Sequence, residues 1–275
     1  MNILSNSEEL LKGYAKSIRM DILNAVFQAG KGHIGGSYSI IEILLSIYYN
    51  SNFLYDPDNP TWCDRDRLLL SKGHAGIGLY AVLAHLGYFN KKELNRLNQE
   101  SILGEHPDHL IPGVEFLSGS LGHGLSLASG MALADKIDGK KNKNIVIMGE
   151  GDCYEGPTWE AALFSSQHKL GNLIGVLDRN KLIANNATED INSLNPIADK
   201  WRSFGWSVHE IDGHNISELN KTFDEVLQNT NKKPSMIVAS TIKGKGVSFM
   251  EGKVEWHHGS VNQENYKIAK TELEK

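Results

Sequence analysis

The sequence is poor in several features that would mark other classes of protein. It has only two cysteines, Cys63 and Cys153, too few for a disulfide framework and suited to a reducing cytosol. No apolar run is long enough to span a bilayer, and residues 1–16 lack the basic start and apolar centre of a signal peptide. These absences predict a soluble, cytoplasmic protein without a membrane partner.

An excess of positive charge is also absent. Charged residues make up 22% of the 275 residues, the formal net charge is −5, and acidic and basic side chains are interspersed. Nucleic-acid-binding proteins usually carry a basic surface that meets phosphates, so we expect no nucleic-acid partner. The sequence shows no repeats, no low-complexity tract and no linker, which predicts one domain over residues 1–275.

What the sequence does contain is a strand, helix and strand unit between residues 144 and 182. Residues 145–148 and 173–177 are short apolar runs of the kind that buried parallel strands show. Between them, Pro157 lies at or next to the first turn of a predicted helix that Gly171 ends. A right-handed crossover would place the two strands side by side or nearly so.

Polar residues follow each of these two strands. Gly149-Glu150-Gly151 follows the first, and Asn180 follows the second. One carboxylate and one amide oxygen at the same sheet edge could bind Mg²⁺, whose other ligands would include a diphosphate. Asp152 is a rival for the acidic ligand, and an ordinary glycine turn is the alternative for the whole motif.

Four glycine-rich turns carry histidines, within residues 30–37, 71–75, 104–107 and 119–124. Glycine at this density indicates unusual backbone angles or close approach of a ligand. His33 taken alone is more typical of a solvated loop. Lys72 and His74 could bind a phosphate or simply begin a helix, and residues 243–246 are interpreted as a mobile solvated loop, with phosphate contact as the alternative.

The remaining pattern alternates helices and strands, which predicts an α/β fold with a doubly wound, mostly parallel sheet flanked by helices. The other predicted helices cover residues 7–29, 37–49, 75–85, 90–103, 126–134 and 217–229, followed by a charged carboxyl-terminal helix. The other predicted strands cover residues 68–70, 206–211 and 236–241, and residues 185–195 are predicted to form a polar surface loop.

Taken together, the motifs resemble the amino-terminal half of transketolase, in the same order and over nearly the whole chain. They are GKGHIGGS, RDRLLLSKGHA, GEHPD, GSLGHG, GEGDCYEG, LDRNKL, DGH, TIKGKG and WHHGS. The 28 residues between Gly151 and Asn180 also fit the spacing of the thiamine diphosphate signature. The resemblance implies the thiamine-diphosphate-binding fold.

The resemblance also implies roles for individual residues. It suggests as catalytic residues His33, His74, His106 and His258. The residues that it suggests for cofactor binding are His74, Gly119, Ser120, Leu121, Gly151, Asn180 and His258. The suggested ligands of a Mg²⁺, Ca²⁺ or Mn²⁺ ion are Glu150, Asn180 and the main-chain oxygen of Leu182.

The sequence departs from the family pattern at three positions. Glu150 replaces the usual Asp at the metal, His123 stands where many members carry Gln, and the Gly-His-Pro motif has an extra residue, Glu105. These departures leave open a weaker or looser metal site.

The activity implied is transfer of a two-carbon ketol unit from a ketose, expected to be phosphorylated, to an aldose. Breaking the C2–C3 bond of the ketose requires removal of a hydroxyl proton, and imidazoles suit proton transfer near neutral pH. The candidates for this proton transfer are His33, His106 and His258, and the sequence does not rank them.

The glutamate that activates thiamine diphosphate in this family belongs to a second, pyrimidine-binding domain. Because the chain ends at Lys275, we expect it to be the amino-terminal subunit of a split transketolase. A separate carboxyl-terminal subunit would then carry the activating Glu, in a heterotetramer of two pairs.

Three alternatives remain at this point. The chain could be a subunit of another thiamine diphosphate enzyme, since such enzymes share the metal motif. It could be a nucleotide-binding α/β enzyme, although no GxGxxG motif follows an early strand. It could also be a non-catalytic scaffold subunit, because Glu150 could mark a degenerate metal site.

Overall fold

A parallel five-stranded sheet lies at the centre of the computed structural model, which describes residues 7–275. The strands are β1 Arg67–Leu70, β2 Asn144–Gly149, β3 Leu173–Arg179, β4 Ser207–Asp212 and β5 Ser235–Ser240. They lie in the order β1-β2-β3-β5-β4, and each neighbouring pair is parallel. The predicted α/β sheet is therefore confirmed. Residues 1–6, part of the stretch used for the signal-peptide prediction, lie outside the described residues.

Helices cover both faces of this sheet. The α-helices are α1 Glu8–Ala29, α2 Ile34–Tyr38, α3 Ile41–Tyr48, α4 Gly76–Leu86, α5 His123–Ile137, α6 Gly156–Gln167, α7 Thr188–Ile191, α8 Ile197–Ser203, α9 Ile216–Gln228 and α10 Gln263–Leu273. Short 3-10 helices cover Gly73–Ala75, Lys91–Arg96, Glu150–Tyr154 and Val254–Trp256. Between residues 7 and 275, no helix has both the length and the apolar character needed to cross a bilayer.

Alternate residues of each central strand enter different hydrophobic cores. Ile145 and Ile147 of β2 pack in the larger core, which contains residues of α1, α3, α4, α9 and α10. Val146 and Met148 pack in the smaller core with α5, α6 and α8. Both faces of β2 are covered, and its residues 145–148 are apolar without interruption, as expected for parallel sheets between two helix layers. The doubly wound arrangement is therefore confirmed.

The predicted end of α1 and the predicted start of α6 agree with the structure, whereas the predicted end of α6 does not. Helix α1 ends at Gly30, whose φ of +84° is a left-handed conformation that favours glycine. Helix α6 carries Pro157 in its first turn, where a missing N–H costs no helical hydrogen bond. It ends at Gln167 rather than at Gly171, and Gly171 packs so closely that a Cβ there would lie 2.0 Å from the Asn231 carbonyl oxygen.

Three other predictions of secondary structure are wrong in extent. The helix predicted over 90–103 is only the 3-10 helix Lys91–Arg96, because the chain leaves helical geometry at Leu97 and Asn98 has a φ of +58°. The helix predicted over 37–49 is divided between α2 and α3. The polar loop predicted over 185–195 contains the short helix α7.

Candidate active site at the carboxyl edge of the sheet

The carboxyl ends of β2 and β3 lie side by side. Gly149 of β2 pairs with Asp178 of β3, so Glu150 and Asn180 follow neighbouring strand ends at the same edge of the sheet. Ligands of open α/β sheets bind at this edge, where chain segments leave the sheet and side chains can converge. The position of the two predicted metal ligands therefore follows from the parallel pairing.

Asp152, the rival acidic ligand, has its oxygens occupied by protein donors. Its Oδ1 accepts hydrogen bonds from the Gly122 N–H at 2.8 Å and the Ser71 hydroxyl at 2.5 Å, and its Oδ2 accepts one from the Gly149 N–H at 2.8 Å. Burial raises the pKa of Asp152 above its ordinary value, although these donors oppose the rise. Asp152 therefore holds the chain around the site together and leaves Glu150 as the better placed acid.

Glu150 is buried and only half satisfied. Its Oε1 forms an ion pair with the Arg179 guanidinium and accepts a hydrogen bond from the Thr188 hydroxyl at 3.3 Å. Its Oε2 is buried and has no hydrogen-bond partner among residues 7–275. Arg179 also donates to Glu189 Oε1 at 2.7 Å, which fixes the guanidinium. A buried acceptor without a partner is costly, so this oxygen is suited to a cation.

Asn180 and Leu182 supply further oxygens at the same edge. Asn180 Nδ2 donates to Asp178 Oδ2 at 3.1 Å, which turns the side chain so that its Oδ1 accepts from the Leu182 N–H, also at 3.1 Å. The carbonyl oxygens of Leu182 and Ile183 lie 3.4 and 3.3 Å from Lys243 Nζ. These contacts show that the main chain here presents its carbonyls to a positive charge.

The oxygens at this edge are suited to a hard divalent cation. Within the part of the chain that the structure describes, Glu150 Oε2 is without a partner, Asn180 Oδ1 has accepting capacity left, and the Leu182 carbonyl has a long contact with an ammonium group. Carboxylate, amide and main-chain oxygens are the donors that Mg²⁺, Ca²⁺ and Mn²⁺ prefer. The residues therefore fit the metal that the fold family implies, with Glu150 offering one oxygen.

The interpretation of residues 243–246 as a solvated loop is wrong for Lys243, whose side chain is buried. The Gly244 N–H donates to the Gly35 carbonyl at 2.9 Å, which holds this segment against α2. Lys243 Nζ also lies 3.4 Å from His257 Nδ1. Burial, with the charge of Lys72 nearby, lowers the pKa of Lys243 to about 8. Lys243 therefore connects the sheet edge to the histidines.

A buried ion pair lies beneath the sheet edge, between Lys72 and Asp178. Lys72 Nζ also donates to the Gly36 carbonyl at 2.9 Å, and Asp178 accepts further hydrogen bonds from the hydroxyls of Ser39 and Thr241. Burial alone would raise the pKa of Asp178, but the Lys72 ammonium and these donors lower it below its ordinary value. Asp178 is therefore a charged acceptor that orients its neighbours, including Asn180.

Five imidazoles gather above this ion pair. The ring of His33 lies 4.4 Å from that of His258, 5.2 Å from His257, 5.7 Å from His74 and 6.0 Å from His106, measured between ring centroids. The four predicted catalytic histidines come from separate loops, and the structure brings them together. His257 joins them although its role was not predicted.

Three of these rings are neutral at pH 7. Burial, with His258 nearby, lowers the pKa of His33 to about 4. Burial and the charge of Lys72 lower the pKa of His74 well below its ordinary value. Burial and the charge of Lys243 lower the pKa of His257 to about 3. Each of these neutral rings has a nitrogen that can accept a proton or ligate a metal.

Glu105, the extra residue of the Gly-His-Pro motif, contacts two of the rings. Its Oε1 lies 3.2 Å from His33 Nδ1 and 2.7 Å from His258 Nε2. The motif therefore brings a carboxylate into the histidine cluster beside His106.

The predicted cofactor loop lies against the same cluster. Gly119 has a φ of +133°, and a Cβ there would lie 3.5 Å from the His106 ring. Leu121 packs over Gly151, where an added Cβ would lie 2.8 Å from Leu121 Cδ1. Ser120 lies beside an open groove of about 490 Å³. The loop therefore contacts His106 at Gly119 and packs closely against Gly151 at Leu121.

Sequence reasoning missed several members of this site or gave them no role: His257, Lys243, Asp178, Arg179 and Glu105. A signal was present for some, since His257 precedes His258 and Glu105 is a departure from the motif. One histidine of the family motifs has a different environment. His214 Nδ1 lies 3.0 Å from Glu42, and its Nε2 accepts from the Ile242 N–H at 2.9 Å, away from the cluster around His33.

Comparison with known families gives a match over nearly the whole chain. The family described as "Transketolase, thiamine diphosphate binding domain" matches residues 11–274. Among solved structures, transketolase from Campylobacter jejuni superposes with a TM-score of 0.91 at 30% identity, covering 98% of this chain and 43% of that chain. The chain thus spans less than half the length of that relative.

Curated relatives include shorter proteins of matching length. The chain is 44% identical to the 6-deoxy-6-sulfo-D-fructose transketolase subunit of Clostridium sp. (strain MSTE9), over 99% of both proteins. It is 40% identical to an apulose-4-phosphate transketolase subunit of Phocaeicola vulgatus, over 96% of this chain and 94% of that protein. It is 34% identical to human transketolase, over 90% of this chain and 40% of the human protein.

Proposed function

The chain belongs to the transketolase family, as a subunit that carries the thiamine diphosphate-binding domain, and from this premise we propose that it works with a separate carboxyl-terminal subunit. The supporting observation is the match in length to proteins named as subunits, together with a site whose histidines and oxygens lie at one sheet edge. The reaction proposed is transfer of a two-carbon ketol unit from a ketose to an aldose. We propose residues 1–275 as one domain in a reducing, cytoplasmic setting.

The diphosphate end of the cofactor would be held at the sheet edge through a Mg²⁺, Ca²⁺ or Mn²⁺ ion. The proposed metal ligands are Glu150, Asn180 and the Leu182 carbonyl. The proposed cofactor contacts are His74, Gly119, Ser120, Leu121, Gly151, Asn180 and His258. When bound, thiamine diphosphate supplies the nucleophilic carbon that carries the two-carbon unit. Asp178 fixes the Asn180 amide, and Arg179 fixes one oxygen of Glu150.

The histidine cluster is proposed to exchange protons with the sugar. His33 is half-buried and neutral, so its ring can accept the hydroxyl proton whose removal accompanies breakage of the C2–C3 bond. His106 and His258 lie beside it and are candidates to orient the sugar hydroxyls. His74, which is half-buried near Lys72, is proposed to contact the donor and the diphosphate.

The donor is proposed to be a ketose with an anionic group at its far end. Relatives of matching length are named for 6-deoxy-6-sulfo-D-fructose and for apulose-4-phosphate, and both sugars carry an acidic group. A phosphate or a sulfonate would therefore be recognised outside the histidine cluster, with the partner subunit contributing to that recognition.

The partner is proposed to cover the open groove beside Ser120 and to contribute the activating Glu. Leu117 and Leu127 line this groove and are 65% and 43% exposed. Apolar side chains at this exposure beside a cofactor loop are suited to a protein interface. Two such pairs would form a heterotetramer, as closed symmetric assemblies commonly do.

Reconstitution tests this proposal. The chain and the candidate carboxyl-terminal subunit, sought in the neighbouring gene, are purified separately and mixed with Mg²⁺ and thiamine diphosphate. Two-carbon transfer from sulfonated or phosphorylated ketoses to aldoses is followed by mass spectrometry. We expect activity only in the mixture. Robust activity of the chain alone would refute the need for a partner, and absence of metal-dependent cofactor binding in the mixture would favour a scaffold subunit.

A further inference from the structure

Three potential metal-ligating atoms converge in the histidine cluster, apart from the sheet edge proposed for Mg²⁺. They are His33 Nδ1, Glu105 Oε1 and His258 Nε2, and all lie within 4.8 Å of one another. The carboxylate oxygen lies 3.2 Å from the first nitrogen and 2.7 Å from the second. The three residues come from three separate loops, so tertiary structure alone assembles this arrangement.

His33 Nδ1 is the atom that points most clearly to a missing ligand. It is buried and has no hydrogen-bond partner among the described residues, so its contact with Glu105 does not satisfy it as a hydrogen bond. A buried ring nitrogen without a partner is unusual in a folded protein and calls for an explanation. A cation between the ring and the carboxylate would satisfy both groups.

The chemistry of these ligands differs from that at the sheet edge. Two imidazole nitrogens with one carboxylate form a set that favours Zn²⁺ and related transition metals, whereas Glu150, Asn180 and Leu182 offer only oxygens. Zn²⁺ binds His nitrogen and carboxylate oxygen at about 2.0–2.2 Å, which separates neighbouring ligand atoms by about 3.3 Å. The two separations that involve Glu105, 2.7 and 3.2 Å, are near this value, and the two nitrogens lie within 4.8 Å of each other.

We propose that His33, Glu105 and His258 form a second metal site that binds Zn²⁺ or Co²⁺ and, when occupied, prevents the sugar from binding at the histidine cluster. Glu105 is the residue that creates the site, because it adds the only negatively charged member of this three-ligand set. The bound ion would take up lone pairs of two histidines and occupy space between them. The blocking effect rests on the proposed ketol transfer, whereas metal binding does not.

Cobalt binding to the purified full-length chain tests the site directly. The chain is saturated with Mg²⁺ and titrated with Co²⁺, the visible d–d absorption is recorded, and Zn²⁺ is then added as a competitor. We expect one Co²⁺ per chain, displaced by Zn²⁺. Glu105→Gln should weaken Co²⁺ binding at least about tenfold, and His258→Ala should do the same.

Two control variants test whether the Co²⁺ absorption comes from the proposed site. Glu100→Gln changes an exposed acid on the same segment and should bind Co²⁺ like the wild type. Asn180→Ala should also retain Co²⁺ binding, because it alters only the oxygen site at the sheet edge. Absence of a saturable Co²⁺ signal, equal binding by Glu105→Gln, or loss of the signal in Asn180→Ala would each overturn the proposed site.

Inhibition of the reconstituted complex tests the blocking effect. With Mg²⁺ in excess, Zn²⁺ should inhibit two-carbon transfer, a chelator should reverse the inhibition, and Glu105→Gln should need at least about tenfold more Zn²⁺. Co²⁺ binding to the chain without zinc inhibition of an active complex would overturn the blocking effect. A complex without any ketol transfer would refute the proposed function instead, and the cobalt titration distinguishes the two failures.

Discussion

Two buried ion pairs in this molecule have similar exposure and different surroundings. In the helix layer, Arg19 and Glu42 form a bidentate pair at 2.6 and 2.7 Å, and His214 Nδ1 lies 3.0 Å from the same carboxylate. At the sheet edge, Lys72 pairs with Asp178, which also accepts from Asn180. The first pair links helices to each other, whereas the second lies one hydrogen bond from a proposed metal ligand.

The difference shows two uses of buried charge. The Arg19 and Glu42 network is enclosed by the larger core and fixes how α1, α3 and the loop after β4 pack. The Lys72 and Asp178 network orients the Asn180 side chain at the sheet edge. Removing one partner of a buried pair is strongly destabilising in either setting, because the other charge stays buried without compensation. Because Asp178 holds the proposed metal ligand Asn180, we expect loss of the sheet-edge pair, but not of the helix-layer pair, to weaken cofactor binding. Four experiments test this contrast.

The largest effect is expected for Asp178→Asn, which should impair both stability and binding. The neutral amide leaves the Lys72 ammonium buried without a counterion, so the free energy of unfolding should fall by about 3–5 kcal/mol. Asn180 loses its charged acceptor, so the affinity for thiamine diphosphate with Mg²⁺ should fall at least about tenfold. Urea denaturation and calorimetry of the reconstituted complex measure the two effects. Unchanged cofactor affinity would show that the sheet-edge pair, like the helix-layer pair, serves stability alone.

The matched change in the helix layer is Glu42→Gln, for which we expect only a loss of stability. The free energy of unfolding should again fall by about 3–5 kcal/mol, because Arg19 stays buried beside a neutral amide. Cofactor affinity should equal that of the wild type at a temperature where the variant is folded. A tenfold weaker affinity in this variant would show that the helix layer is coupled to the site.

Lowering the pH should remove the stabilisation that the ionised Glu42 carboxylate gives to the folded state. Burial alone would raise the pKa of Glu42, but Arg19 and His214 lower it to about 2, from an ordinary value of 4.5. Because the folded pKa is depressed, this stabilisation is present above pH 4.5 and is lost as the pH falls toward 2. It amounts to about 3 kcal/mol. The melting temperature measured against pH should fall less steeply in Glu42→Gln, and parallel curves would contradict this assignment.

The smallest effect is expected for Thr241→Val. This change keeps the shape of the side chain and removes one hydroxyl donor to Asp178, while the donors Lys72 and Ser39 remain. The free energy of unfolding should fall by about 1 kcal/mol. Cofactor affinity should change less than in Asp178→Asn. An exposed Thr230→Val variant provides the control, and an effect as large as that of Asp178→Asn would show that the Thr241 hydroxyl is itself essential.

Much of the fold could be predicted from the chain because its central strands are buried on both faces. Apolar runs such as residues 145–148 and 173–177 require cover on two sides, and the glycines and proline that bound the helices act locally. The polar helix predicted over residues 90–103 was wrong in extent because the chain leaves helical geometry at Leu97 and Asn98 adopts a left-handed conformation, which polar composition does not reveal.

The parallel α/β fold, the family motifs and the candidate residues could all be found in the sequence, since each depends on local pattern or on spacing along the chain. Which groups form hydrogen bonds and ion pairs with those residues depends on the tertiary structure. Packing supplies Asp152 with three protein donors, pairs Glu150 with Arg179, buries Lys243 and places Glu105 between two histidines. The physical reason is that hydrogen bonds and ion pairs join segments far apart in the chain, so their partners depend on how strands and loops pack.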